Sequence, residues 1–304
     1  MKELPRYTKV LTLGSSRTEN ALRGKVVIQE KVDGSQFRFG INEDGELLIG
    51  SKSVSWNGDC DKMFSAGVAH VKSVSHLITK RDVYFFAEYL QKPKHNVLAY
   101  DHTPKGNLAL FDVMEGGRWH ERGEIEESAT LLGIDVVPEL FRGKVDSIEF
   151  LKQLHETTSF LGGQKIEGVV IKNYTENIEL GGLIFPLFTK YVREEYKEKH
   201  GQEWKSGRDV MADFVNSFAT EVRWQKAVSH LRESGAIEQS PRDIGKLIIA
   251  VRNDIAEEEG ENISKFLCNK FLPEILRTAT KGLPEWYKEK LLENVTGGGL
   301  NDRP

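Results

Sequence analysis

The sequence predicts an α+β fold dominated by antiparallel sheet and followed by a smaller all-helical C-terminal domain. Three observations lead there. Short runs of β-branched and aromatic residues fill the chain from about Gly24 to Val192, and turn dipeptides such as Asp33-Gly34 and Asp44-Gly45 separate them. Beyond about Arg193 the apolar residues recur at helical spacing instead. A chain of 304 residues exceeds what one core comfortably organises, since single cores stop growing at about 250–300 residues. We therefore expect domains at 1–193 and 194–296, with a Gly-rich polar tail at 297–304.

Taken in order, the expected strands are Lys25–Lys31, Gln36–Ile41, Glu46–Gly50, Val83–Leu90, Asn107–Met114, Gly168–Asn173 and Leu183–Val192. The stretch Phe37–Gly50 reads as a hairpin, with Asp44-Gly45 supplying the turn in which φ is positive. Helices are expected at Asp61–Thr79, Glu124–Leu132 and Ser147–Glu156. In the C-terminal third, Val210, Phe214, Phe218 and Val222 share one helical face, as do Ile244, Leu247, Ile248, Val251 and Ile255; such stripes are expected to be packing faces.

Composition excludes several classes. With 39% hydrophobic and 29% charged residues the chain is neither disordered nor fibrous. A formal charge of −4 argues against sequence-independent coating of DNA, which needs many phosphate contacts, but allows a local basic groove. Cys60 and Cys268 show no disulfide or zinc spacing. No apolar leader and no membrane-spanning stretch is evident, so we expect a cytoplasmic protein with no membrane partner.

The sharpest local feature is Glu30-Lys31-Val32-Asp33-Gly34-Ser35, a lysine leaving a strand straight into a turn. A lysine acts as a nucleophile only without its proton, so it needs a cationic neighbour or a desolvated pocket to lower its pKa. A surface lysine beside a hairpin turn would fit so short a pattern equally well. What distinguishes this chain is the ordered set downstream. Glu88, Asp112 and Glu167 each place an acid in an apolar strand, and a buried carboxylate requires a cation, hydrogen bonds or a metal. Together with Lys31, Lys172 and Lys190 they suggest a site for a polyanion and a metal.

Lys31 to Gly34, Tyr84 to Leu90, Leu108 to Val113, Glu167 to Lys172 and Phe188 to Val192 resemble, in order and spacing, nucleotidyltransferase motifs I, III, IIIa, IV and V of the ATP-dependent ligases and mRNA capping enzymes. The resemblance covers about the first two thirds of the chain. Glu30 to Phe37 is similar to the E-K-x-H-G-T-N-F pattern of RNA ligase 2-type enzymes, with Gln36 where DNA ligases and capping enzymes carry arginine. Asp33 departs from that pattern toward the DNA ligases, and Phe188-Thr189-Lys190 keeps one of the two lysines of motif V.

The resemblance implies an antiparallel, ATP-grasp-like nucleotidyltransferase domain and a three-step reaction. Lys31 would take AMP from ATP, pass it to a 5′-phosphate, and a 3′-hydroxyl would displace it. It further implies that Glu30 accepts from the adenine amino group, Phe111 stacks on the base and Glu88 holds the ribose. Glu167 would organise Mg²⁺, with Mn²⁺ satisfying the same oxygens; Lys172 and Lys190 would neutralise the α-phosphate and Lys52 the terminal phosphates. The implied partner is RNA with 3′-OH and 5′-phosphate ends, including nicked duplex, acted on by a monomer. A DNA ligase with a minimal appendage and a GTP-dependent capping enzyme stay open as alternatives; the helical C-terminal text, in place of the strands of an OB barrel, disfavours both. Lys197, Lys199, Lys205 and Arg208 are candidate phosphate contacts, interleaved with acids that would equally make an ion-paired helix.

Overall fold

The computed structural model describes residues 4–56, 60, 62–180, 182–193, 210–238 and 240–297. The candidate phosphate contacts between 197 and 208, and most of the polar tail, lie outside the described residues. In chain order the strands and helices are β1 (Leu11–Thr12), β2 (Val26–Lys31), β3 (Ser35–Ile41), β4 (Leu47–Ser51), β5 (Ser55–Trp56), α1 (Ser65–Val74), β6 (Val83–Tyr89), β7 (Leu108–Glu115), β8 (Arg118–Trp119), α2 (Arg122–Leu132), β9 (Asp135–Val136), β10 (Glu139–Gly143), α3 (Ile148–Leu154), β11 (Gly168–Leu180), β12 (Leu183–Val192), α4 (Val210–Asn216), α5 (Glu221–Glu233), α6 (Ile244–Ala279) and α7 (Leu283–Gly297).

The strands form two mostly antiparallel sheets. One runs β1-β12-β11-β2-β10; the other runs β5-β4-β3-β6-β7-β8, with β9 alongside β7. This is the α+β architecture expected from the alternating strands and the helical C-terminal text. The hairpin at Asp44-Gly45 forms between β3 and β4, and Gly45 adopts φ +86° as its turn requires.

Alternation along the strands decides which side chains meet. In the second sheet Phe37, Phe39, Val83, Phe85, Ala87, Tyr89, Leu108, Leu110 and Val113 point to one face, where they pack with Val68 and Val71 of α1 and Ile125, Ala129 and Leu132 of α2. Glu88 and Leu90 therefore point to the opposite, inner face. In the first sheet Val26, Ile28, Val169 and Ile171 pack with Leu151 of α3 on the outer side, which leaves Gln29, Lys31, Val170, Lys172 and Lys190 on its inner face.

Local chemistry sets the helix limits. Helix α2 starts two residues before the expected Glu124 because Glu121 is its N-cap: the Glu121 N–H donates to Glu124 Oε2 at 2.8 Å, closing a capping box. Ser147 caps α3 by accepting from Phe150 N. Helix α4 ends at Asn216, short of the expected face through Phe218, because Thr220 caps the next helix by accepting from Arg223 N. Phe214 and Phe218 are nonetheless both buried and meet edge to face at 4.9 Å.

The chain divides into two compact units, Met1–Asn253 and Asp254–Pro304. Helices α4 and α5 fall within the first, with both sheets. In the second, Leu272, Ile275, Leu276, Leu283 and Trp286 are exposed. Of the face expected at Ile244, Leu247, Ile248, Val251 and Ile255, Ile244 and Ile248 are exposed too, in contrast to the packing face expected from their spacing. Among the described residues no helix is long and apolar enough to cross a membrane.

Candidate active site

Lys31 ends β2, the strand whose preceding five residues are all buried, so its backbone is rigid while its side chain reaches the edge of the inner face. Its Nζ donates to Glu167 Oε2 at 2.5 Å. Burial alone would pull the amine's pKa down, but the carboxylates of Glu167, Asp33 and Glu88 outweigh it and leave the pKa raised. This reverses the expectation of a depressed lysine: the surroundings of Lys31 are acidic, and they hold its proton.

The turn after Lys31 is clamped by a loop that no sequence motif singles out. Asp33 Oδ2 accepts from the backbone N–H groups of Val97 and Leu98 at 2.8 and 2.7 Å, and Asn96 donates to the Gly34 carbonyl at 2.8 Å. Gly34 has to be glycine for packing reasons. A Cβ there would lie 2.7 Å from both Glu88 Cγ and the Tyr89 carbonyl oxygen. The turn after Lys31 and β6 are thereby held against each other, which brings Glu88 beside Lys31. Desolvation pushes the Glu88 carboxyl up to about 8, Lys31 counteracts it, and Glu233, Asp33 and Glu167 add to the rise.

Across the inner face, Lys172 is 1% exposed and donates to Asp112 Oδ2 at 2.7 Å and to the Phe111 carbonyl at 2.9 Å. Its ammonium also lies 5.3 Å from the centre of the Phe111 ring and 5.8 Å from that of Phe188. Burial depresses this amine, with Asp112 opposing the change. Asp112 is completed by the hydroxyls of Tyr7, in a short hydrogen bond, and Tyr174, at 3.0 Å. Both tyrosines are pushed upward, mainly by burial.

Phe111 owes its position to a bulge. Phe86 pairs with Asp112 and Ala87 with Leu110, so Phe111 is an extra residue opposite none. It joins the inner cluster of Val32, Leu90, Leu98 and Ala109, and its half-buried ring meets Tyr7 edge on at 5.0 Å. Two consecutive residues, Phe111 and Asp112, thus serve the same face.

The structure brings Lys31, Glu88 and Glu167 together, and groups Phe111 with Lys172. Lys190 lies on the same inner face, opposite Val170 on β11, and Phe188 stands where the motif's other lysine was expected. Glu30 is placed differently. Strand alternation turns it away from Lys31, and its carboxylate accepts from Ser159 Oγ at 2.5 Å and Phe160 N at 3.1 Å. Burial raises the Glu30 carboxyl, and those two bonds partly offset the rise. Lys52 is exposed beyond β4, and the carboxylate that feels its charge is Glu233. Gln36, noted in the sequence only as standing in place of an arginine, lies opposite Glu88 across β3 and β6, and its buried Nε2 has no hydrogen-bond partner among the described residues.

The two sheets face each other across paired lysines and carboxylates, with Lys31 at the end of β2. The chain belongs to the RNA ligase family, whose model matches residues 24–192. Among solved structures it is similar to Naegleria gruberi RNA ligase. One ligand-free variant is 16% identical, with 65% of this chain and 59% of that one covered at a TM-score of 0.48. A variant with ATP and manganese gives 16%, 64%, 57% and 0.48, and one with AMP and manganese 16%, 65%, 60% and 0.47. The chain therefore spans less than two thirds of the length of these structures. No curated protein matches it.

Proposed function

We propose that the protein is an ATP-dependent RNA ligase that joins 3′-OH and 5′-phosphate ends through a lysyl-AMP intermediate on Lys31. The observation that carries this reading is the placing of Lys31 at the end of β2, against Glu167 and Glu88, within the span that matches the family. Lys31 Nζ, once deprotonated, attacks the α-phosphorus of ATP; a P–N bond forms, the bond to pyrophosphate breaks, and pyrophosphate departs with its electron pair. AMP then passes to the oxygen of a 5′-phosphate, and a 3′-oxygen displaces it after losing its proton.

The residues present suit a hard divalent cation. Glu167 would hold the cation, and a carboxylate with phosphate and water oxygens would suit Mg²⁺, which favours hard oxygen donors. When bound, Mg²⁺ or Mn²⁺ supplies positive charge that offsets the triphosphate and the carboxylates alike. Phe111 presents an aromatic face on which the adenine stacks, and Glu88 faces the ribose. Lys190 and Lys172 are the inner-face cations that would neutralise the α-phosphate, the Lys172 ammonium being held by Asp112 in the ligand-free site. On the same reading Lys52 neutralises the outer phosphates, and Glu30, whose carboxylate also accepts from Ser159 and Phe160, accepts from the adenine amino group. The substrate is RNA, nicked or with free ends, and the working unit a cytoplasmic monomer of a nucleotidyltransferase domain, 1–193, with a helical domain, 194–296.

The test is incubation with Mg²⁺ and α-labelled ATP or GTP, followed by denaturing gels of wild type and Lys31→Ala. A label from ATP that the variant loses supports the reading, and nicked duplexes differing only in a terminal ribonucleotide then separate RNA from DNA sealing. Absence of label, before and after pyrophosphate treatment to strip pre-bound AMP, refutes it. Label from GTP alone moves the protein to the capping enzymes.

A further inference from the structure

Helix α5 ends in a carboxylate that touches the nucleophile's turn. Glu233, 7% exposed, accepts from Ser35 Oγ–H at 2.5 Å, and Ser35 lies four residues after Lys31. Ser35 Oγ also lies 2.9 Å from His95 Nε2. Because His95 Nδ1 accepts from the Gln91 N–H at 3.1 Å, its Nε2 carries the proton and donates to Ser35. One directed chain results: His95 to Ser35 to Glu233. His95 belongs to the same loop whose Asn96, Val97 and Leu98 hold Asp33 and Gly34, and Ser229 of α5 meets Asn96 at 3.5 Å. A helix encoded some two hundred residues downstream thus closes the clamp around the nucleophile turn.

We propose that Glu233 is a positioning residue for nucleotide transfer: by accepting from Ser35 it locks the clamp loop onto the Lys31 turn, so α5 is part of the adenylylation machinery. This rests on the reading of Lys31 as the nucleotide acceptor. Glu233 touches neither Lys31 nor the reacting atoms and acts through Ser35 and His95. Glu233 lies beyond the family-matched span, while its partner Ser35 lies within it. The negative end of α5 and its burial disfavour a free charge here, so the geometry depends on the Ser35 and Lys52 side of the contact being kept.

The experiment measures single-turnover formation of the enzyme–AMP adduct over a range of ATP concentrations, for wild type, Glu233→Ala, Glu233→Gln, Ser35→Ala and the Glu233→Ala/Ser35→Ala pair. Amide hydrogen exchange at Val97 and Leu98 is read in parallel. Small displacements of a reacting group carry large rate penalties, so Glu233→Ala should slow the saturated rate about tenfold while the ATP concentration at half-maximum moves less than about threefold. Glu233→Gln keeps an acceptor of the same shape and should recover to within about threefold of wild type. The double variant should be no slower than the slower single variant, and the two amides should exchange faster in Glu233→Ala.

A wild-type rate in Glu233→Ala, multiplicative losses in the double variant, or unchanged amide exchange would each overturn the proposal. So would normal adduct formation with impaired sealing, which would make α5 an RNA-gripping element instead. If wild type itself forms no adduct, the Lys31 reading fails separately, and the amide exchange still decides whether Glu233 fixes the turn.

Discussion

Replacing Asp112 by alanine should cost the protein about 3–5 kcal/mol of stability, the range for removing one partner of a buried ion pair. Asp112 and Lys172 are both 1% exposed, and the pair joins β7 of one sheet to β11 of the other. Without the carboxylate, the Lys172 ammonium keeps the Phe111 carbonyl at 2.9 Å and two aromatic faces beyond 5 Å, none of which carries a full negative charge. Tyr7 and Tyr174 lose their acceptor in the same step. A buried hydroxyl without a partner costs about 1–3 kcal/mol, so the change should lie toward the upper end of the range.

Urea unfolding at 25 °C, followed by circular dichroism and extrapolated linearly, measures this change. The pH dependence supplies an independent check. Burial already depresses Lys172, and loss of Asp112 depresses it further. Between that lowered pKa and the ordinary lysine value of about 10.4 the unfolded chain binds the extra proton, so stability rises with pH there. The deficit of Asp112→Ala should accordingly narrow between the variant's Lys172 pKa and the wild type's, both below the ordinary lysine value. A loss below about 1 kcal/mol, or an Asp112→Leu/Lys172→Met pair no more stable than Asp112→Ala, would refute the account, because apolar replacement of both partners is expected to be far milder.

Three further outcomes follow from the same geometry. Gly34→Ala forces a Cβ to 2.7 Å from the Tyr89 carbonyl, so it should abolish or severely slow adduct formation while lowering stability by about 1–3 kcal/mol, read by gel and by urea melt. Glu88 ionises at about 8 when folded against 4.5 in an ordinary setting, so the native state binds more protons between those values and metal-free stability should fall as pH rises through them; Glu88→Gln should flatten that slope in urea melts taken in chelator. Chelation of divalent cations should stop labelling of Lys31 without altering the far-ultraviolet spectrum, and Mn²⁺ should restore it as Mg²⁺ does.

Much of the fold was legible because its cause is local. Period-two apolar runs located β2, β3, β4, β6, β7, β11 and β12, and Asp44-Gly45 announced its hairpin. The site was legible in part. Lys31, Glu88 and Glu167 stand out as charged residues at strand positions, and the structure gathers them. What the sequence did not disclose is long-range pairing. The Tyr7 hydroxyl reaches Asp112 across 105 positions and Ser35 reaches Glu233 across 198, and neither partner announces the other in its own neighbourhood. Nor did the sequence reveal that three carboxylates leave Lys31 protonated, since that balance depends on distances.

The bulge at Phe111 carries a wider lesson about how such a strand acquires chemistry. Leu108, Leu110 and Val113 face α1 and α2, while Ala109 and Asp112 face inward, and this alternation is complete without Phe111. A strand one residue shorter would pair with β6 in unbroken register and bury the same core. Phe111 is the residue that the bulge adds: its ring packs against the inner cluster, and its carbonyl accepts from Lys172 at 2.9 Å and from Gln29 at 3.3 Å. Insertion, rather than substitution, lets a strand turn one more side chain toward an inner face while its neighbours keep their pairing.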